Sequence, residues 1–318
     1  MLRCPQDCGS LRLADGCEQG ADGRFVMSGT LVCGCGARYP VEGGIVKLLD
    51  QAALDADSRH EQQLRDGNGE EASSAEAPVW WNDVDNLIEI IPTRKAVAPR
   101  PEQIVLELGC GDGRYSLWLA GSCGALLAVD FSIGWLRKLR HRLGAASNVG
   151  LVLADVCALE VAPGSFDTVF STLVSNLPTR RGRNALYDLA RRAAKPGGTF
   201  VFSVHHYGPK QRLRGEERSG RYSEGGICRY AHTLAECNAE LAPFFGSVRT
   251  RPIQVYLPFW KRLGLPLLPA SRVAEKIPLL RMLGALLLCV ARQPRSSMNR
   301  NVVSSRPELG APVRCSRP

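Results

Sequence analysis

Three groups of residues in this sequence have types and spacings that can do chemistry. The first is Val105-Leu-Glu107-Leu-Gly109-Cys-Gly111-Asp-Gly113-Arg114, in which three glycines alternate with other residues between an apolar run and a helical pattern. Glycines there let the backbone turn tightly and approach a ligand closely. A dinucleotide-binding loop would need glycine at position 114, where Arg114 stands, and no Lys-Ser/Thr pair completes a phosphate loop. The second group is two carboxylates, Asp130 and Asp155, each closing an apolar run, with His205 and His206 at the end of a later one. An imidazole has the right pKa for a base near neutrality. Adjacent strand residues point to opposite faces, so at most one of the two histidines enters a shared site. The third group is five cysteines within the first 35 residues: Cys4, Cys8, Cys17, Cys33 and Cys35. Cys4 with Cys8 and Cys33 with Cys35 make two pairs whose thiolates would close a tetrahedral structural zinc site. The gaps are three residues and one, where two is usual, and Cys17 can stand in for one member.

The elements that must position these residues alternate. Apolar strands are expected at 104–108, 125–130, 149–154, 166–171 and 199–204, with helices at 114–120, 133–143 and 184–194 between them. Strands that are apolar throughout, alternating with helices, predict an α/β fold with a doubly wound, mostly parallel sheet buried on both faces. In such sheets ligands sit beyond the carboxyl ends of the strands, where the glycine loop, Asp130, Asp155, Ser171 and the histidines all fall. Two further apolar segments, 248–257 and 284–291, flank a Pro-rich stretch.

At these residues the chain resembles the class I S-adenosylmethionine-dependent methyltransferases. Five blocks carry the resemblance in the family's order: Glu107-Leu-Gly-Cys-Gly-Asp-Gly113, Ala128-Val-Asp130, Leu153-Ala-Asp155, Phe166-Asp-Thr-Val-Phe170 and Lys195-Pro-Gly-Gly198. The resemblance implies a seven-stranded Rossmann-like sheet with S-adenosylmethionine as cofactor. It implies that Gly109, Gly111 and Gly113 line the methionine and ribose portions, with Glu107 ordering the loop. Asp130 would accept the ribose hydroxyls, Asp155 and the backbone of Val156 would meet the adenine, and Ser171 would border the methyl-transfer side. His205 and His206 become the candidate catalytic bases. Residues Tyr39 to Leu49, with the cysteines, resemble the small zinc-ribbon module fused to or partnered with some methyltransferases, which implies structural zinc on Cys4, Cys8, Cys33 and Cys35.

The sequence therefore divides into a zinc-ribbon-like module at 1–50, an acidic linker at 51–77 with a helical start near 52–64, a catalytic domain at 78–294, and a disordered basic tail at 295–318. From Asp50 to Ala77 eight acidic residues face only Arg59 and Arg65. Trp80 and Trp81 are candidate lid residues ahead of the first catalytic strand.

Length and composition bound the rest. The 318 residues carry 45% hydrophobic and 22% charged side chains, a globular balance that argues against wholesale disorder. The apolar run 279–290 is too short to span a bilayer, which takes about 20 residues, and Met1-Leu-Arg-Cys-Pro lacks the features of a secretion signal. A cytoplasmic location is expected, where cysteines stay reduced. The net charge of +9 raises RNA as a partner, but part of it falls in the tail and on helix faces. Position 171 opens Ser-Thr-Leu-Val-Ser-Asn-Leu-Pro178, where amino-methylating enzymes of nucleic acids often carry Asn-Pro-Pro-Tyr. The expected function is methyl transfer to an oxygen, nitrogen or carbon of a small-molecule substrate. An RNA methyltransferase and a non-catalytic binding protein are the alternatives.

Overall fold

Strand β1 (Leu11–Leu13), β2 (Glu18–Gln19), β3 (Val26–Cys33), β4 (Arg38–Glu42) and β5 (Ile45–Lys47) open the chain, followed by helices α1 (Ala56–Glu71) and α2 (Val84–Val97). Then come β6 (Ile104–Leu108), α3 (Ser116–Ala120), β7 (Ala125–Asp130), α4 (Ile133–Leu143), β8 (Val149–Leu153), β9 (Phe166–Thr172), α5 (Arg180–Ala193) and β10 (Ala194–His206). The last elements are α6 (Pro209–Leu213), β11 (Ser219–Arg221), β12 (Cys228–His232), α7 (Leu234–Leu241), β13 (Phe245–Val255), α8 (Leu267–Ala274), α9 (Pro278–Arg281) and β14 (Gly284–Pro294). This computed structural model describes residues 1–19, 26–71, 84–144, 146, 148–174, 177, 179–221, 226–257, 264 and 266–296.

The expected seven strands lie side by side in the order β8, β7, β6, β9, β10, β14, β13. All pairs are parallel except those of β14, which runs against both β10 and β13. Val105, Leu106 and Leu108 of β6 are buried, as are Leu126, Ala128 and Val129 of β7, which is why these runs read as continuously apolar. Strand order reverses beside β6, so the glycine loop at its carboxyl end opens into the crevice where such sheets bind ligands. One core, around Phe166, Tyr187, Phe200, Phe202 and Phe244, fills the face under α5 and α7. A second, around Tyr115, Leu119, Leu136, Leu139 and Phe170, fills the other.

Two sets of contacts tie the front of the chain to the rest of the sheet. β5 pairs in parallel with β8, Ile45 opposite Leu151 and Lys47 opposite Leu153, so the cysteine-bearing strands extend the seven-stranded sheet. Of the segment 51–77, residues 51–71 are described and carry α1. Its helix starts four residues later than expected and lies against α4. There Gln62 Nε2 donates to Phe131 O at 2.8 Å, and Asp66 Oδ1 accepts from Ser132 Oγ at 2.6 Å and from Gly134 N at 3.1 Å. The physical reason is the unpaired N–H groups at the start of α4, which favour a carboxylate. Trp80 and Trp81 lie outside the described residues, as does the tail from residue 297. Arg295, which opens that tail, is fixed to the fold, its N–H donating to Phe244 O at 2.9 Å.

Candidate active site

The glycine loop leaves β6 in a conformation its neighbours enforce. Gly109 N and Cys110 N both donate to Val129 O, at 2.8 and 3.0 Å, tying the loop to the end of β7. Gly109 has φ of +74°, and a Cβ there would overlap the side chain of Val174. Gly113 has φ of +99°, and its Cβ would lie 2.5 Å from Leu139 Cδ1. Both positions therefore require glycine for backbone and for space.

Asp130 sits beneath the loop it was expected to serve. Its Oδ2 accepts from Gly111 N at 2.8 Å and its Oδ1 from Ser132 N at 2.9 Å, so one carboxylate fixes both the loop and the entry to α4. Burial pushes its carboxyl upward, opposed by these N–H groups and by Arg65. Glu107 is buried behind the loop and accepts from Ser116 Oγ at 2.6 Å, which joins β6 to the start of α3. Burial pushes its carboxyl up to about 8. Asp155 follows β8 and accepts from Cys157 N at 2.8 Å, with burial again raising its carboxyl. Val156 beside it packs on the core. Ser171 is fully buried, and its hydroxyl donates to Leu108 O at 3.0 Å. That bond holds the ends of β6 and β9 together.

The two histidines have different surroundings. His206 is buried, and its Nδ1 lies 2.7 Å from Gly284 O, a contact that fastens the end of β10 to the start of β14. His205 is half-buried, and burial together with Arg229 and His232 takes its imidazole down to about 4. It is therefore neutral near pH 7.

Several residues that brace the site were not singled out from the sequence. Arg142, read as part of a basic helix face, reaches back to the loop: its guanidinium donates to Asp112 O at 2.8 Å and to Asp112 Oδ2 at 2.6 Å. Arg114 donates to the buried Glu89 of α2 at 2.5 Å, and Tyr115 OH reaches the same carboxylate at 3.3 Å. Beyond β10, Arg183 grips Glu240 with two bonds of 2.7 and 3.0 Å and lies 4.1 Å over the ring of Tyr230. Of these, Glu89 carries a sequence signal, a carboxylate within Leu87-Ile-Glu-Ile-Ile91, whereas Arg142 and Arg183 stand in arginine-rich runs that look solvated.

In the cysteine cluster the structure gathers Cys4, Asp7, Cys33 and Cys35, whose ligand atoms lie within 4.8 Å of one another. Cys4 Sγ is 3.7 Å from Cys35 Sγ, and Cys33 Sγ is 3.2 Å from Asp7 Oδ1. Cys8 is exposed, has φ of +59°, and is not in the group. Of the expected quartet, Cys4, Cys33 and Cys35 are thus brought together, and Asp7 rather than Cys8 faces these thiols. Three thiolates and a carboxylate are a donor set that suits tetrahedral zinc.

Comparison with known proteins adds three findings. A family model described as "Methyltransferase domain" matches residues 105–198. The chain is 36% identical over 113 residues to the demethylmenaquinone methyltransferase of Clavibacter sepedonicus, covering 35% of this chain and 44% of that protein. It is 36% identical over 106 residues to the malonyl-[acyl-carrier protein] O-methyltransferase of Methylococcus capsulatus, covering 33% of this chain and 38% of that one. The chain thus spans less than half the length of these two relatives. Among solved structures, phosphoethanolamine N-methyltransferase 1 of Haemonchus contortus, in complex with phosphoethanolamine and S-adenosylhomocysteine, superposes with a TM-score of 0.52. That match has 12% identity and covers 80% of this chain and 54% of that one, a likeness of fold.

Proposed function

Because this chain carries a class I S-adenosylmethionine-dependent methyltransferase domain, we propose that it moves a methyl group from S-adenosylmethionine to a small-molecule acceptor. The observation that carries the reading is Asp130, a buried carboxylate bonded to Gly111 N and Ser132 N at the mouth of a loop in which Gly109 and Gly113 leave no room for a side chain. The residues fit the cofactor: Asp130 would hold the ribose hydroxyls, the loop backbone the methionine part, and Asp155 with the backbone of Val156 the adenine. When bound, the cofactor supplies an activated methyl on a sulfonium. The chain's task is then to position the acceptor, because an in-line displacement depends chiefly on alignment.

We assign the proton-accepting role to His205, while His206 is a structural tie between β10 and β14. The imidazole of His205 is unprotonated across the neutral range, as a group that accepts a proton from an acceptor hydroxyl or amine must be. The expected result for His205→Ala is a fall in turnover of about 10²-fold, the lower end for loss of a general base, with affinity for S-adenosylhomocysteine unchanged. His206→Ala should instead lower the melting temperature. The measurement is transfer of labelled methyl from S-adenosylmethionine into fractionated cell extract. Label should appear in small molecules. Label in RNA would overturn the acceptor class, and equal turnover in His205→Ala would remove that residue from the site.

The front module is read as a structural zinc site on Cys4, Asp7, Cys33 and Cys35, supported by their convergence. Protein purified without chelator should carry close to one zinc per chain by elemental analysis. Cys8→Ser should keep it and Asp7→Ala should lose most of it. The reverse pattern would restore the four-cysteine arrangement.

A further inference from the structure

The carboxyl edge of the sheet carries a feature that methyl transfer alone does not require. Among the described residues the exposed large hydrophobics are Met1, Leu13, Leu213, Val273, Ile277 and Leu279, and four of these six belong to the segments that overhang one edge. α6 follows the end of β10. α8 and α9, which lie between β13 and β14 in the chain, belong to the same end, because Val255 pairs with Gly284 and His205 with Leu286. The two overhangs adjoin, since a Cβ on Gly208 would lie 2.9 Å from Met282 O. Leu213 is 91% exposed and Leu279 81%, with Val273 at 58% and Ile277 at 44%.

These are held projections rather than frayed ends. Ser271 and Ala274 form the buried side of α8, and Ser271 Oγ accepts from Val255 N at 3.1 Å. Glu275 turns inward to accept from Gln254 N at 3.0 Å. What α8 is left to present outward is Arg272 and Val273, followed by Lys276 and Ile277. Counted over 209–217 and 267–281, six cations (Lys210, Arg212, Arg214, Arg272, Lys276 and Arg281) accompany three carboxylates, of which Glu275 is turned away and Glu216 faces Arg214 at 3.7 Å.

We propose that this edge docks on a bilayer surface rich in anionic phospholipid, with Leu213, Val273, Ile277 and Leu279 entering the headgroup region and the surrounding lysines and arginines meeting lipid phosphates. Charge selects this occupant: the exposed apolar residues share their segments with twice as many cations as carboxylates, so an anionic surface is favoured and a second copy would bring like charge against like charge. Shallow apolar insertion combined with a basic surround is the pairing that gives stable, reversible attachment to membranes. Docked this way, the edge that holds the glycine loop and His205 faces the lipid, and on the reading of that edge as the acceptor side an apolar acceptor would enter from the bilayer.

The test is flotation of the full-length protein with vesicles, read as binding alone and so independent of any turnover. Wild type should float with phosphatidylcholine vesicles containing phosphatidylglycerol, should stay unbound with pure phosphatidylcholine, and should be released by high salt. A near-surface cation is worth about fivefold in partition, so Arg272→Gln with Lys276→Gln should weaken binding about 25-fold. Leu213→Ser with Leu279→Ser should abolish it, circular dichroism melting showing that the fold is kept. If the serine pair fails to fold, the glutamine pair decides. Equal binding to both vesicle types, no binding to either, variants that bind like wild type, or a dimer in sedimentation that the serine pair dissolves would each overturn the proposal.

Discussion

Asp130→Ala is expected to weaken binding of S-adenosylhomocysteine by about 10²-fold or more, measured by titration calorimetry. A hydrogen bond to a charged group is worth about 1.5–3 kcal/mol, and a carboxylate that holds two ribose hydroxyls loses both together. The substitution also strands Gly111 N and Ser132 N, which now share that carboxylate at 2.8 and 2.9 Å. Each stranded buried donor costs about 1–3 kcal/mol, so the alanine variant should melt earlier as well. Asp130→Asn separates the two effects, because an amide oxygen can still accept one backbone bond while its NH2 faces the hydroxyls in the wrong sense. Wild-type affinity in the asparagine variant would sink the assignment of Asp130 and with it the reading of the loop.

The second large effect concerns Arg183→Met, which should cost about 3–5 kcal/mol of stability, the usual penalty for removing one partner of a buried ion pair. Arg183 and Glu240 are both buried, and two bonds of 2.7 and 3.0 Å join α5 to α7 beneath the ring of Tyr230. Burial alone would raise the carboxyl of Glu240, but His232 and Arg183 overcome it and hold Glu240 down at about 2. A depressed folded-state pKa stabilises above the unfolded value and loses that contribution as pH falls. For Glu240 the window runs from about 4.5 down to about 2. Urea midpoints of wild type and variant should therefore differ most at neutral pH and converge across that window, since a protonated Glu240 no longer needs the guanidinium. A gap independent of pH would mean that Arg183 acts through packing alone.

The parts of this protein that were legible in its sequence are those whose chemistry is local. Gly109 and Gly113 announce themselves because no other residue fits the turn they make. Asp130 and Asp155 are legible because each ends an apolar run, and strand ends share one edge. The gathering of Asp7 with three of the front cysteines was not legible. Residue spacing says which cysteines are close in the chain but not which way a turn aims them, and at Cys8 a left-handed backbone aims the thiol away while Asp7 faces in. The helix over 56–71 was read as linker because its composition is that of a solvated segment. Its Asp66 is instead matched to the donors at the start of α4, a complement 66 residues away from Ser132. Arg142 and Arg183 were hidden for the same reason, since an arginine on a helix looks solvated until its partner is placed. His205 and His206, adjacent in sequence, were separated only by the carbonyl of Gly284.

The pairing of β5 with β8 has a consequence for how the chain must be handled by its own folding. β8 is an outer strand of the catalytic sheet, and Val149, Leu151, Val152 and Leu153 are all buried. With β5 laid along it, Ile45 and Lys47 opposite Leu151 and Leu153, the unpaired side is covered by residues about a hundred positions earlier in the chain. Cut away at residue 50, the same strand would present an open row of N–H and C=O groups flanked by apolar side chains, a template for pairing with another chain. The cysteine-bearing strands thus carry this edge of the sheet outward to β1, which at three residues is too short to be a good template for another chain.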